Sequence, residues 1–211
     1  MAHSSHSHHH DGDRLIHWPR IYDLTTGLLG RRGTRLRRMF ADDLQLAPGD
    51  HVLDVGCGPG RLTRFLAKRV APDGAVDGID ASPQMIKRAA AKAHKQGIPA
   101  NFQVGYAQDL PFADNTFDAV ACILVLHHVA ADDQLAAAEE MHRVLKPGGR
   151  LLIAEFQAGP KHPHPGPRWL RRSMDEDMIN KGLSLVSDAG FSGIVSAETN
   201  LGWLGKITAR K

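Results

Sequence analysis

The chain has 211 residues, 42% of them hydrophobic and 23% charged, with a formal net charge of +3. That is ordinary globular usage for one domain with a sizeable core, and so mild a charge makes no whole-protein case for nucleic-acid binding. The two cysteines, Cys57 and Cys122, stand in apolar strand contexts, which argues against a disulfide framework and for a reducing, cytoplasmic setting. No apolar run reaches the ~18 residues of a membrane span, and the start lacks the apolar core of a signal peptide.

Residues 1–13 are polar and carry His3, His6, His8, His9 and His10. They read as a disordered, added tail. A tract without fixed geometry makes no folded metal site, and no metal is expected. Residues 14–211 read as a single domain whose opening, 14–47, is a helical cap. Within it Trp18 to Leu46 is predicted helical, with Tyr22, Leu24, Leu28, Leu29, Leu36, Met39 and Phe40 as its apolar positions. Gly27, Gly30 and Gly33 are expected to break it into two pieces. Arg31, Arg32, Arg35, Arg37 and Arg38 crowd the same stretch. They are either a solvated face or a contact for an anion or a membrane surface.

From His51 onward, strand and helix signals alternate. Strand-like runs are Val52–Val55, Ala75–Ile79, Asn101–Val104, Phe117–Leu124 and Arg150–Phe156, with helical patterns over 59–70, 82–96 and 132–145. Lys146-Pro147-Gly148-Gly149 is expected to end the last of these helices and turn into the next strand. Pro160, Pro163, Pro165 and Pro167 exclude a regular helix or central strand between Gln157 and Arg172. A helix over 176–189 and strands near 192–197 and 203–209 close the chain. The pattern predicts an α/β fold: a Rossmann-like, seven-stranded, mostly parallel sheet with helices on both faces and an antiparallel last strand.

The most informative run is Val52-Leu53-Asp54-Val55-Gly56-Cys57-Gly58-Pro59-Gly60. A buried strand enters a turn of alternating glycines, where the backbone can approach a ligand with no Cβ in the way. The helix that follows, with Leu62, Phe65, Leu66 and Arg69 as its pattern, aims unsatisfied N–H groups into the same crevice. Asp80 lies at the end of the next strand, where a nucleotide-binding βαβ unit keeps its ribose-binding carboxylate. Together they imply an adenosine-bearing cofactor. A phosphate-binding loop would need Lys-Ser/Thr after the glycines, and Arg61-Leu62 stands there. The dinucleotide spacing G-x-G-x-x-G would put its third glycine at Arg61.

The spacing Asp54-x-Gly56-x-Gly58-x-Gly60 instead resembles the first motif of class I S-adenosylmethionine-dependent methyltransferases. The likeness runs from about Tyr22 to Thr208. Gly78-Ile79-Asp80-Ala81-Ser82-Pro83-Gln84-Met85 is similar to the second motif and Gly105-Tyr106-Ala107-Gln108-Asp109-Leu110-Pro111-Phe112 to the third. Thr116-Phe117-Asp118-Ala119-Val120 resembles the opening of the fourth, and Glu140 to Arg150 the helix and turn before the fifth strand. Tyr22-Asp23-Leu24, Asn115-Thr116-Phe117-Asp118 and Ala154-Glu155-Phe156 bring it nearest to the ubiquinone/menaquinone-biosynthesis C-methyltransferase group.

That resemblance implies S-adenosylmethionine as cofactor, S-adenosylhomocysteine as product, and a small-molecule acceptor. Backbone groups of Gly56, Cys57, Gly58 and Pro59 would serve the methionine end, with Asp54 beneath them bonding toward its amino group. Asp80 would take both ribose hydroxyls. Ala81 and Met85 would wall the adenine, although Met85 is equally a core filler. Ala107 and either Gln108 or Asp109 would read the base edge, Asp109 also suiting a turn or cap. Tyr106 would stack on or shield the base, Ile123 would touch the cofactor through its backbone, and Tyr22 would also bind it. Cys57 fills space rather than attacking anything.

The transfer is an in-line displacement at a sulfonium-activated methyl, so a base is needed only where the acceptor must lose a proton. His127 and His128 follow the fourth strand at the carboxyl edge. His128, favoured over His127, would take that proton, unless the pair only packs or bonds structurally. Glu155 could also face the acceptor. The quinone-methylating relatives carry a longer, more apolar insertion where Gln157 to Ser173 is short, proline-rich and basic, which argues for a more open pocket. His162 and His164 lie in this roof, with Trp169 and Leu170 as its apolar pair and Arg168, Arg171 and Arg172 its basic residues. Two alternatives are a quinol C-methyltransferase with peripheral membrane contact through the Arg31–Arg38 cluster and a non-catalytic cofactor-binding module. Intact Asp54 and Asp80 oppose the second. No nucleic-acid partner is expected, and the unit is expected to be a monomer or homodimer.

Overall fold

The computed structural model describes residues 30–157, 178–199 and 201–211. Helix α1 (Gly30–Asp43) leads into β1 (His51–Val55), α2 (Arg61–Val70), β2 (Ala75–Asp80), α3 (Pro83–Lys95) and β3 (Asn101–Val104). Then come β4 (Phe117–Ile123), α4 (Gln134–Val144), β5 (Leu145–Phe156), α5 (Met178–Asp188), β6 (Ser192–Glu198) and β7 (Leu204–Arg210). Short 3-10 turns at Leu126–His128 and Ala131–Asp133 join β4 to α4. One seven-stranded sheet has the order β3-β2-β1-β4-β5-β7-β6. Strands β1 to β5 pair in parallel, and β7 runs antiparallel to both β5 and β6. The predicted architecture is the observed one.

Successive side chains of a strand point to opposite faces, and a sheet covered on both faces needs apolar residues on both. In β4, Phe117, Val120 and Cys122 join one core, while Ala119 and Ala121 join the other. In β5, Leu151 and Ile153 enter the first core and Leu152 and Ala154 the second. The first core takes Ala137, Ala138 and Met141 of α4 with Met178, Ile179 and Val186 of α5. The second takes Leu36, Phe40 and Ala41 of α1 with Leu66, Ala67 and Val70 of α2. Among the described residues, no helix is long and apolar enough to cross a membrane.

Three local expectations are corrected. Gly33 lies inside α1 rather than breaking it. A glycine in a helix costs only about 1 kcal/mol, less than the packing of the buried Leu36, Phe40, Ala41 and Leu44 on the sheet returns. Helix α2 starts at Arg61, two residues later than expected, because Gly60 is left-handed with φ 69°. Its buried stripe is Thr63, Leu66, Ala67 and Val70, while Leu62 and Phe65 lie on its partly covered flank. Strand β5 begins at Leu145, directly after α4, and the Pro147-Gly148-Gly149 turn is a bulge within it: Phe117 pairs Leu145, and pairing resumes at Ala119 and Arg150. Lys211 holds the bulge, with Gly148 N–H donating to its carbonyl at 3.0 Å and its own N–H donating to Gly149 O at 3.1 Å.

One arginine fastens the loop between β3 and β4. Arg143 on α4 donates Nε and Nη2 to Glu140 at 2.7 and 2.8 Å, and Nη1 to Asp114 at 2.7 Å. It also donates to the carbonyls of Phe112 at 2.8 Å and Leu110 at 3.0 Å. Glu140 in turn accepts the Leu110 N–H at 2.8 Å. The Arg143 hydrogen bonds hold the Glu140 carboxyl below its ordinary range, and Glu140 raises the Arg143 guanidinium. Only a planar five-donor fork can make this set. Arg143→Ala is expected to lower the unfolding free energy by about 2–3 kcal/mol, with Arg143→Lys recovering little of it; urea unfolding with an unchanged slope checks both.

Candidate active site

The parallel strands β1, β2, β4 and β5 deliver Val55, Asp80, Ile123 and Phe156 to one edge of the sheet. Open α/β sheets bind ligands at this carboxyl edge. The turn after β1 passes through left-handed backbone at Gly56 (φ 66°), Gly58 (φ 52°) and Gly60 (φ 69°). Cys57 N–H donates to Ile79 O at 2.9 Å, which lays the turn across the end of β2. Pro59 is buried, and its carbonyl accepts Arg64 Nη1 at 2.8 Å.

Asp80 is the junction of the site. Its Oδ2 accepts the Gly58 N–H at 2.9 Å and its Oδ1 the Ser82 N–H at 2.9 Å. Its backbone carbonyl accepts the Gly105 N–H at 3.2 Å. Burial raises the carboxyl above its usual range, against the pull of the two N–H donors. Each oxygen keeps a further lone pair for another donor.

Asp54 lies beneath the turn, 2% exposed. Its Oδ2 accepts the Thr63 hydroxyl at 2.6 Å. Burial pushes its carboxyl up to about 7, opposed by hydrogen bonds from Thr63 and assisted by the charge of Asp80. The sequence reading omits Thr63, which is fully buried. Its signal is positional: a hydroxyl residue at the head of the 63-66-67-70 stripe faces the strand that α2 covers. Cys57 is buried, its Sγ against Gly58 O at 3.6 Å, and burial raises its thiol far out of the reactive range.

Ala81 is half-buried, and Ser82 caps α3 by accepting the Met85 N–H at 3.4 Å. Met85 is 4% exposed and continues into the packed stripe with Ala89 and Ala93. After β3, Tyr106 is 40% exposed and bridges to Asp109, whose N–H donates to Tyr106 O at 3.2 Å. Asp109 thus belongs to a turn. Ala107 is buried and Gln108 half-buried beside it. Ile123 ends β4 half-buried, followed by Leu124 at φ 58°.

Val125 then packs on Gly56, so closely that an alanine Cβ there would overlap it. This brings the His127-His128 turn to the glycine turn. His127 Nδ1 meets Glu155 Oε2 at 2.8 Å, and its ring lies 4.0 Å from that of His128. Glu155 is fully buried, so it holds this turn instead of facing an acceptor. Tyr22 and the roof with His162, His164, Trp169, Leu170 and the three arginines lie outside the described residues. Among the described residues, no cluster of His, Cys, Asp and Glu could hold a metal.

Residues 52–149 match the family described as a methyltransferase domain. A demethylmenaquinone methyltransferase of Symbiobacterium thermophilum is 45% identical over 122 residues, covering 56% of this chain and 47% of that protein. A ubiquinone/menaquinone biosynthesis C-methyltransferase of Teredinibacter turnerae is 41% identical over 138 residues, covering 64% of this chain and 55% of its own length. The chain thus spans about half the length of these curated relatives. Among solved structures, a SAM-dependent methyltransferase from Aquifex aeolicus superposes with a TM-score of 0.71 at 26% identity, covering 82% of this chain and 88% of that one. The [4+2]-cyclase SpnF does so with a TM-score of 0.71 at 25% identity, covering 85% and 81%.

Gly56→Ala is expected to cost about 2–4 kcal/mol, from left-handed backbone plus the overlap with Val125. Gly97→Ala, at φ 60° with open space around it, should cost only the backbone part, about 1–2 kcal/mol. Parallel chemical denaturation of the two variants checks the difference.

Proposed function

We propose that this protein, whose core is a class I S-adenosylmethionine-dependent methyltransferase domain, transfers a methyl group to a small-molecule acceptor in the cytoplasm. The observation that carries this reading is the double use of Asp80. Its two oxygens organise the turn after β1 and the start of α3, yet keep lone pairs for a vicinal diol. The fit extends to the other groups of the cofactor. The left-handed turn Gly56-Cys57-Gly58-Pro59 and the first N–H groups of α2 suit its carboxylate, and Asp54 suits its ammonium. Ala81, Met85, Tyr106, Ala107 and Gln108 would surround the base, Ile123 would lie under the cofactor, and Tyr22 is the further cofactor-binding candidate. Once bound, S-adenosylmethionine supplies a methyl group already activated by its sulfonium. The chain's own work is then to orient the acceptor and exclude water, with His127 and His128 on the acceptor side.

A second reading is C-methylation of a quinol at a membrane surface; the curated relatives' names, a demethylmenaquinone methyltransferase and a ubiquinone/menaquinone biosynthesis C-methyltransferase, support its chemistry. On α1, Arg35 and Arg38 are exposed, which favours contact with an anionic surface. The acting unit is a monomer or homodimer. Methyl transfer has to be tested as such, since a [4+2]-cyclase shares the fold and a fold does not by itself specify its reaction.

Calorimetry is expected to show S-adenosylmethionine binding and no comparable binding of NADH; equal affinities would overturn the cofactor. Asp80→Ala should weaken S-adenosylmethionine by about 1.5–3 kcal/mol, roughly ten- to hundredfold, and unchanged affinity would remove Asp80 from the ribose. The pH dependence follows from Asp54. Its folded value of about 7 lies above the ordinary 3.8. Its contribution to apo stability is therefore full below the lower value and lost as pH rises through the higher. Binding of an ammonium runs the other way, because it needs the carboxylate. Affinity should rise between pH 6 and 8 and flatten in Asp54→Asn, read from titrations across that range.

A further inference from the structure

Glu155 is fully buried at the end of β5 and is surrounded by donors. Its Oε1 accepts the Leu126 N–H at 2.7 Å. Its Oε2 faces His127 Nδ1 at 2.8 Å and the Phe156 N–H at 3.4 Å. Gln134, 3% exposed, grips the same turn from α4, donating Nε2 to Leu126 O at 2.8 Å and Val129 O at 3.1 Å. The His127 ring is also packed against Phe156, centroid to centroid 4.8 Å. An imidazole held on three sides has one orientation. A carboxylate that receives backbone N–H groups on both oxygens acts as acceptor toward the ring too, so the neutral ring carries its proton on Nδ1. Nε2 keeps its lone pair, makes no hydrogen bond among the described residues, and belongs to a side chain 16% exposed.

We propose that His127 is the base that takes the acceptor's proton, that Glu155 is its positioning residue, and that the acceptor therefore bears an acidic O–H, as a phenol or hydroquinone does. This rests on the methyl-transfer reading above. The sequence reading leans to His128, but the buried carboxylate is on His127. The acceptor O–H proton passes to Nε2, giving an imidazolium whose Nδ1–H faces the Glu155 charge. The freed pair on oxygen, directly or through the ring, forms the new bond to the methyl carbon as the carbon–sulfur pair leaves to sulfur. Where carbon is methylated, the ring carbon's own proton is then released to water. A purely structural Glu155 would satisfy Leu126 N–H equally well as glutamine, whereas a base needs the charge.

The test uses the full chain with S-adenosylmethionine and, as acceptor probes, 1,4-naphthohydroquinone and catechol. His127→Ala is expected to lower kcat about a hundredfold, with S-adenosylmethionine affinity unchanged. Glu155→Gln should lower kcat about tenfold with KM unchanged, and Glu155→Asp should restore part of the rate. In parallel, nitrogen-15 spectra of the protein without acceptor should show His127 with its neutral proton on Nδ1, a preference that is lost in Glu155→Gln. Wild-type kcat in His127→Ala overturns the base. An unchanged His127 tautomer and wild-type kcat in a folded Glu155→Gln overturn the positioning role. Wild-type protein that binds S-adenosylmethionine but methylates neither probe overturns the acidic O–H acceptor. Failure to bind S-adenosylmethionine at all is separate and overturns the methyl-transfer reading itself.

Discussion

Three loops at the carboxyl edge of the sheet are tied to one residue. Asp80 binds the loop after β1 through Gly58 N–H, the start of α3 through Ser82 N–H and the loop after β3 through Gly105 N–H. Each loop would otherwise bring backbone donors to an edge that only solvent could satisfy. A carboxylate at that point satisfies two donors with its side chain and a third with its carbonyl, and its lone pairs are not exhausted. The same hydrogen bonds that shape the crevice therefore prepare it for a ligand. The glycines follow from this constraint. The chain must reverse within a few residues to bring Gly58 over Asp80, and left-handed backbone at Gly56 and Gly60 achieves it.

The two ends of the sheet manage charge differently. At the amino edge, three carboxylates have a basic partner: His51 with Asp77 at 2.6 Å, Lys146 with Asp118 at 2.9 Å, Arg150 with Asp50 at 2.8 Å. Asp118 is held below its ordinary range because the His51 N–H and Lys146 outweigh its burial. At the carboxyl edge, the buried Asp54 and the half-buried Asp80 have hydroxyl and N–H donors but no paired cation among the described residues, and both are raised. Compensating the first set makes a rigid base. Leaving the second without a cation is the reverse of what stability alone would select, as functional sites often do.

At the carboxyl edge, the turn after β1 presents largely backbone groups and the turn after β4 side chains. Backbone N–H groups at a glycine turn recognise a common ligand whatever the neighbouring residues are. The turn after β4 rests on His127, Glu155 and Gln134, packed with Phe156, which itself stacks near Trp203 at 5.8 Å. Changing a few such side chains alters the chemistry without disturbing the sheet, and a [4+2]-cyclase among the structural neighbours is consistent with that division.

Local periodicity and spacing determined most strands and helices from His51 onward and marked the glycine turn with Asp54 and Asp80, because these lie within a single βαβ unit. Tertiary structure decided everything that depends on partners distant in the chain. Thr63 reads as an ordinary helix residue until α2 is laid on β1, and Gly33 reads as a breaker until α1 is laid on the sheet. Glu155 reads as a residue open to the acceptor until β4 and β5 are paired and Leu126 and His127 close over it. The physical reason is the same in each case. Spacing in a sequence encodes which face a side chain occupies, but a hydrogen bond between residues 28 or 29 positions apart exists only once two strands and the turn between them are in register.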